Sequence, residues 1–255
     1  MPERAPLTLA TAFAAPDAKR RFVRRMFATI ADRYDLITRL LSFGRDQAWK
    51  IRLLDLAGVQ PGSRVLDLAC GTGDIAFEAA ARGARVTGLD ITPRMIELAR
   101  LKIPKNDIGS RFTQNVKRLP MSFLVGDMTM LPIASGSCDL VTTGYGLRNV
   151  PDLPGALAEI HRVLAPGGRV CSLDFDRPES AWIRAIYLGY LTVVGSVLGW
   201  VLHRDSETYR YIPASIRRYP GARGVADLMR AAGFVDVRPL PVLAGFMAIH
   251  VARKP

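Results

Sequence analysis

Cysteine is scarce in this chain. Cys70, Cys138 and Cys171 stand at no metal-ligand spacing, and each lies in or beside an apolar run. This excludes a disulfide scaffold and a zinc module, and fits small buried residues in a reducing compartment. The histidines are as few (His161, His203, His250) and form no cluster with one another or with acidic residues, so no metal site is expected. No internal repeat is visible. No signal-peptide pattern is read in the first 25 residues, and the expected location is cytoplasmic. The basic residues lack the interleaved aromatics of an RNA-binding patch, and no Asn-Pro-Pro-Tyr-like pocket for a flipped base is present. Nucleic acid is therefore not the expected partner.

A chain of 255 residues with 49% hydrophobic residues suits one large α/β domain with a full core. The net charge is +12, with a modest basic cluster at Lys19, Arg20, Arg21, Arg24 and Arg25. With nucleic acid set aside, an anionic membrane surface is the better partner reading, and a merely solvated basic surface stands beside it. Peripheral contact with the inner face of a membrane and a homodimer are both left open.

Strand and helix patterns alternate through most of the chain. Residues 1–16 are rich in Ala, Pro and Thr and are expected to be disordered. Residues 17–60 read as an amino-terminal helical lid, with Phe22, Met26 and Ile30 on one helix face. Its helices are predicted over 17–30, 31–41 and 46–57. Residues 61–175 form the cofactor-binding core. Strands are predicted at 64–69, 85–90, 122–125, 138–143 and 169–175, with helices at 74–81, after Pro93 and over 154–164, and an extended loop over 102–120. Helices between strands imply a mostly parallel sheet. Residues 221–255 read as a helix and a terminal hairpin, whose short connection makes the last strand antiparallel. Residues 176–220 are an insertion after the fifth strand. The apolar stretch 185–202 within it is about long enough to cross a bilayer, but a span there would place the halves of one sheet on opposite sides of a membrane. It reads instead as a lid over an apolar pocket.

The run Val65-Leu-Asp-Leu-Ala-Cys-Gly-Thr-Gly-Asp74 carries the most information. An apolar strand holds Asp67 near its end and breaks into a turn at Gly71, Thr72 and Gly73. A second strand ends in Asp90, followed by Ile91. This layout makes a nucleotide-cofactor pocket at the carboxyl edge of a parallel sheet. A dinucleotide motif wants a third glycine where Ala76 stands, and Asp67 and Asp74 would repel a pyrophosphate. Carboxylates suit a cationic ligand with an ammonium group and a sulfonium centre, both of which S-adenosylmethionine has. Asp90 is placed to accept hydrogen bonds from ribose hydroxyls.

This string resembles motif I of the class I S-adenosylmethionine-dependent methyltransferases. Further runs narrow the likeness: Phe27-Ala-Thr-Ile-Ala-Asp-Arg-Tyr-Asp35, Leu41-Ser-Phe-Gly44 with Trp49-Lys50, Gly144-Tyr-Gly-Leu-Arg-Asn-Val150, Arg162-Val-Leu-Ala-Pro-Gly-Gly-Arg169 and Tyr209-Arg-Tyr-Ile-Pro-Ala-Ser-Ile216. Together they resemble the UbiE/COQ5/MenG family, the C-methyltransferases of ubiquinone and menaquinone biosynthesis. The resemblance implies a Rossmann-like class I fold and methylation of a ring carbon on a prenylated quinol precursor. It carries cofactor contacts to Thr72, Asp90, Asp127 and Gly144, with Gly126 beside Asp127. Three departures bear on the acceptor. Gly144 replaces a small polar residue, Thr38 stands where Asn is usual, and Asp46-Gln47 replaces His-Arg.

Methyl transfer to carbon needs a phenolate held in line with the donor, which a preorganised cation stabilises. Arg148 and Asn149, just past the fourth strand, fit that task; the plain alternative for Arg148 is a loop-anchoring salt bridge. Tyr34 is a candidate on the lid, with packing as its plain alternative. Asp35, Tyr209 and Arg210 are candidates for substrate contact. His161 reads as structural and His250 has no assigned role. A paralogue acting on another lipid-linked or small aromatic acceptor, and a non-catalytic lipid-binding protein of this fold, are the competing functions.

Overall fold

The structure, a computed structural model, describes residues 8–42, 44–103, 121–178, 180–204 and 207–255. Beyond Ile103, the loop expected over 102–120 lies outside the described residues. The chain opens with helices α1 (Leu9–Ala12), α2 (Pro16–Ile30), α3 (Tyr34–Leu41) and α4 (Asp46–Ala57). Then β1 (Arg64–Leu68), α5 (Asp74–Ala81), β2 (Arg85–Asp90), α6 (Pro93–Lys102) and β3 (Met121–Val125) alternate. They are followed by β4 (Cys138–Gly144), α7 (Leu153–Val163) and β5 (Leu164–Phe175). Helices α8 (Ala181–His203), α9 (Glu207–Arg218) and α10 (Gly221–Ala231) precede β6 (Val235–Val242) and β7 (Met247–Arg253).

The strands form one sheet in the order β3-β2-β1-β4-β5-β7-β6. β1 to β5 run parallel, and β7 pairs antiparallel with both β5 and β6. Apolar side chains cover both faces. Leu53, Leu54, Ile75, Ala79 and Ile96 of α4, α5 and α6 pack on one, and Leu157, Ile160, Val225 and Met229 of α7 and α10 on the other. Order reverses at β1, between β2 and β4, which is where an open α/β sheet leaves a crevice for a ligand.

Three details differ from the sequence reading. Residues 8–16, expected to be disordered, hold α1, because Thr8 caps it and Phe13 stacks on Tyr211 at 5.7 Å between centroids; composition hid a tertiary contact. α4, expected in the lid, is a core helix whose Leu53 and Leu54 are fully buried. Pro166-Gly167-Gly168, which precedes the strand predicted over 169–175, lies inside β5, where the pairing with β4 shifts register between Cys138 and Leu140. There Gly167 has φ 76°, and a Cβ on Gly168 would meet the Ala165 carbonyl at 2.8 Å.

The expected insertion over 176–220 is the helical pair α8 and α9. Leu188 and Leu191 of α8 pack with Ile216, and Gly195 lets Tyr209 approach. Helices α2 and α3 lie over the carboxyl edge of the sheet and with this pair enclose two chambers there.

Candidate active site

The narrower chamber, about 70 Å³, sits at the crevice of the sheet. Gly71, Asp90, Ile91, Gly126, Asp127 and Gly144 all line it, as do Asn149 and Arg20. The glycine turn is built by positive φ at Gly71 (55°) and Gly73 (94°), preceded by Ala69 at 50°; only glycine holds such angles without strain. A Cβ at Gly73 would also meet Phe77 at 2.8 Å.

Asp90 anchors the turn. One carboxylate oxygen accepts from Gly71 N at 2.9 Å and the other from Thr92 N at 2.8 Å. Burial raises its pKa above the ordinary value even though those donors oppose it. Asp127 accepts from both N and Oγ1 of Thr129 at 2.8 Å and pairs with Arg20 at 2.7 Å. The remaining lone pairs of these carboxylates, held at adjacent strand ends, suit the hydroxyl and amino donors of a nucleoside.

Asp67, Thr72 and Gly73 do not line the chamber. Asp67 is fully buried within β1, where one oxygen accepts from Thr142 Oγ1 at 2.8 Å and the other has no hydrogen-bond partner among the described residues. Burial pushes its pKa up to about 7. Expected as a carboxylate facing a cation, it instead supports the turn from beneath, because the chain bends away at Ala69 before reaching the crevice. Thr72 Oγ1 donates to Asp35 Oδ1 at 2.6 Å and so ties the turn to α3. Gly73 is the residue before α5.

The second chamber, about 440 Å³, is lined mostly by apolar and aromatic side chains from α2, α3, α8, α9 and the turn before β7. Phe27, Tyr34 and Tyr145 line both chambers. Tyr145 holds φ 60°, a strained conformation for a residue with a side chain. Its hydroxyl donates to Asp46 at 2.6 Å, and Asp46 pairs with Lys50, which also reaches Asp74 at 2.8 Å. Burial opposes the charge on Lys50, yet Asp46 and Asp74 outweigh it and raise its pKa. Burial likewise pushes the Tyr34 phenol up to about 12, so it stays protonated at neutral pH.

Arg148 lines the larger chamber, but it does not stand alone. Its Nε lies 3.4 Å from Asp174, its Nη1 donates to Ser215 Oγ at 2.7 Å, and its backbone N donates to the other Asp174 oxygen at 3.0 Å. Nη2 has no partner among the described residues. The anchoring salt bridge is therefore real, although Nε makes no hydrogen bond, and the two N–H groups of Nη2 are left over. Asn149, expected beside Arg148, accepts from its Nη1 at 3.3 Å; it also lines the cofactor chamber and donates to the Tyr145 carbonyl at 2.8 Å.

Of the substrate candidates, Tyr209 is buried in the chamber wall with its hydroxyl 3.1 Å from His203 Nδ1. Asp35 and Arg210 do not reach the chamber and are exposed. Each follows an inward-facing tyrosine on a helix, where the next residue is turned by about 100°. Asp35 pairs instead with Lys102 at 2.7 Å.

Sequence reasoning missed Arg20, Tyr145 and Asp174. Arg20 was legible in principle, since Arg20, Val23 and Phe27 share a helix face and all line the cofactor chamber. His250 has a structural place: Nε2 lies 2.9 Å from the Ala222 carbonyl and ties β7 to α10. His161 packs edge-on against Phe234. Among the described residues no group of His, Cys, Asp and Glu is placed to hold a metal ion, and all three cysteines are free and buried.

Comparison with known proteins agrees with this geometry. Over 91% of its length the fold matches a structure described as a SAM-dependent methyltransferase, possible histamine N-methyltransferase, from Thermotoga maritima. The TM-score is 0.60 at 19% identity, with 99% of that chain covered. The sequence is 40% identical to a demethylmenaquinone methyltransferase of Thermus thermophilus, covering 90% of this chain and all of that one. It is 36% identical to the ubiquinone/menaquinone biosynthesis C-methyltransferase UbiE of Rubrivivax gelatinosus, covering 100% of this chain and 96% of that protein. The model of the ubiE/COQ5 methyltransferase family matches residues 15–254. A match over almost the whole chain, joined to the crevice and its strand-end carboxylates, makes this protein a member of the ubiE/COQ5 methyltransferase family.

Proposed function

We propose that the protein transfers a methyl group from S-adenosylmethionine to a ring carbon of a prenylated quinol precursor of ubiquinone or menaquinone. The observation that carries this reading is the shared wall of Phe27, Tyr34 and Tyr145 between a carboxylate-bearing chamber and a large apolar one. The names of the relatives support the same acceptor class.

The residues present fit the donor. Asp90 and Asp127 would hold its ribose and adenine, and Gly71, Gly126 and Gly144 leave the backbone open to it. S-adenosylmethionine supplies an electrophilic methyl group on a sulfonium. At about 70 Å³ the chamber is far below the roughly 300 Å³ of small ligand pockets, so the lid bearing Arg20 must shift for binding.

The larger chamber favours a phenolate. Among its lining residues the charged side chains are Arg45 and Arg148, and there is no carboxylate or imidazole. A quinol hydroxyl bound there loses its proton to water, because burial keeps Tyr34, Tyr145 and Tyr187 protonated and an arginine does not accept a proton. Arg148 Nη2 then holds the oxyanion, and Asp174 and Ser215 fix the guanidinium so that it need not reorganise. The negative charge spreads to the ring carbon, whose new bond to the methyl group would replace the sulfonium–methyl bond and leave S-adenosylhomocysteine; that carbon's proton then passes through water to the ring oxygen, which restores the aromatic quinol. Tyr34, protonated on the shared wall, orients the ring.

The test is incubation of purified protein with labelled donor and demethylated isoprenoid hydroquinones, read by mass spectrometry. A product one methyl group heavier is expected. Retention of S-adenosylhomocysteine without transfer to any such quinol would sink the acceptor, and failure to retain it would sink the donor. A non-prenylated phenol as acceptor is the second reading. It is favoured by Asp46, a departure from the family pattern that bonds to Tyr145 on the shared wall, and the same assay with simple phenols tests it.

A further inference from the structure

Helix α8 buries one side and leaves the other bare. Trp182, Val193 and Trp200 are exposed at 75%, 65% and 71%, and Ile186 and Val197 are exposed with them. On a helix these positions fall within a stripe about 60° wide and about 27 Å long. The stripe runs into the apolar chamber. Tyr190, on the edge of the stripe, is both exposed and part of the chamber wall, and Leu243 has the same double character in the turn before β7.

The carboxyl-terminal end of the stripe is basic. Arg177, Arg184 and Arg217 line a shallow cleft at the amino-terminal end of α8, but Arg184 lies about 170° around the helix from the middle of the stripe, so this cleft opens on the other side. Asp176 is the one carboxylate among the described residues there, and its Oδ1 already accepts from N–H of Arg177 and Ala222. At the other end Arg204 is exposed.

These features choose among occupants. A second copy of this chain would cap the chamber mouth. A transmembrane course is incompatible with the packing of Leu188 and Leu191 on α9. An anionic bilayer surface satisfies all of the observations. Tryptophans at both ends settle at headgroup level, the aliphatic residues between them enter the acyl boundary, and the net charge of +12 complements the headgroups. We infer that the outer face of α8 lies in the interfacial plane of an anionic phospholipid bilayer, with the chamber mouth at Tyr190 facing the lipid. Delivery of an isoprenoid tail to that mouth rests on the proposed acceptor; the docking itself rests on the stripe, on Arg204 and on the net charge.

The test uses the full chain and an Ile186→Glu/Val193→Glu variant, neither position lining a chamber. Co-sedimentation is measured with vesicles of phosphatidylglycerol and phosphatidylcholine and with phosphatidylcholine alone. The unmodified protein is expected to prefer the anionic vesicles and to be released by alkaline carbonate. The variant is expected to lose vesicle affinity by about tenfold or more. Its kcat/KM should fall for a long-tailed quinol presented in vesicles and stay unchanged for a short-tailed quinol in solution, which also shows that it folds. Equal vesicle affinity of both proteins, resistance to carbonate, or a dimer that the substitutions dissociate in a protein that ignores vesicles would each overturn the inference. Vesicle binding without turnover of any quinol would sink the acceptor and leave the docking standing.

Discussion

Arg20 of α2 is paired with Asp127, just past β3, with Nε 2.7 Å from Oδ2, and both line the cofactor chamber. A residue of the lid thus closes on a carboxylate suited to the adenine amino group. Other contacts tie the lid to the core: Lys19 donates to the carbonyls of Arg148 and Val150, Asp35 accepts from Thr72 and pairs with Lys102, and Asp32 pairs with Arg94.

Replacing Arg20 by Ala should therefore loosen the closed lid more than the fold. The pair is partly exposed, so its loss should change stability by about 1 kcal/mol or less. Release of S-adenosylhomocysteine, followed by stopped-flow fluorescence, is expected to speed up severalfold while the melting temperature barely moves. An unchanged release rate would remove Arg20 from the closing step.

Asp90→Ala removes the acceptor for two backbone N–H groups of the glycine turn and any bond to the ribose. Hydrogen bonds to a charged group contribute about 1.5–3 kcal/mol, so cofactor affinity by isothermal titration should fall about tenfold to a hundredfold. The KM for the quinol should stay near its original value. Asp90→Asn, which keeps one acceptor oxygen, should lie between. Equal losses for cofactor and quinol would argue against a ribose contact.

How much of this was legible in the sequence depends on where a residue sits. Parallel strands are buried on both faces and read as apolar runs, so β1, β2 and β4 were found within a residue or so of their ends. Asp90, Asp127 and Gly144 lie at strand ends, where the topology alone puts them into the crevice. Helical positions were harder, because neighbours in sequence point apart. Tyr34 and Tyr209 face the chamber, whereas Asp35 and Arg210 do not. Asp174 was hidden because it closes β5 while its partner, Arg148, lies in the turn after β4, and the two pair only across neighbouring strand ends. The Tyr145–Asp46 bond joins residues far apart in the chain, and no local pattern announces it.

The Asp174 pairing changes how Arg148 must be tested. Arg148→Ala should lower kcat by orders of magnitude, but it also leaves a buried carboxylate without its cation, which destabilises by about 3–5 kcal/mol. Arg148→Lys keeps the charge near Asp174 and removes the leftover Nη2 donor. It is expected to melt close to the unmodified protein, to bind S-adenosylhomocysteine with near-normal affinity, and still to lose most of kcat. Near-normal turnover in that variant would reduce Arg148 to a loop anchor.

Lys19 gives the lid a pH dependence. Burial, then the nearby Arg148 charge, lowers its pKa from the ordinary 10.5 to about 8, with Asp174 opposing. The unfolded chain keeps this proton up to its ordinary pKa, whereas the folded chain releases it near pH 8. Between those two values the unfolded state binds more protons, so the contribution of Lys19 to stability rises with pH. Below the lower value both states are protonated and the full penalty of the buried charge remains. The neutral amine still has two N–H groups, enough to serve the carbonyls of Arg148 and Val150. Denaturant midpoints of the unmodified protein and Lys19→Met, compared across the same alkaline range, should therefore diverge in favour of lysine as pH rises. Parallel curves for the two proteins would show that Lys19 keeps its ordinary titration and that the lid carries no such dependence.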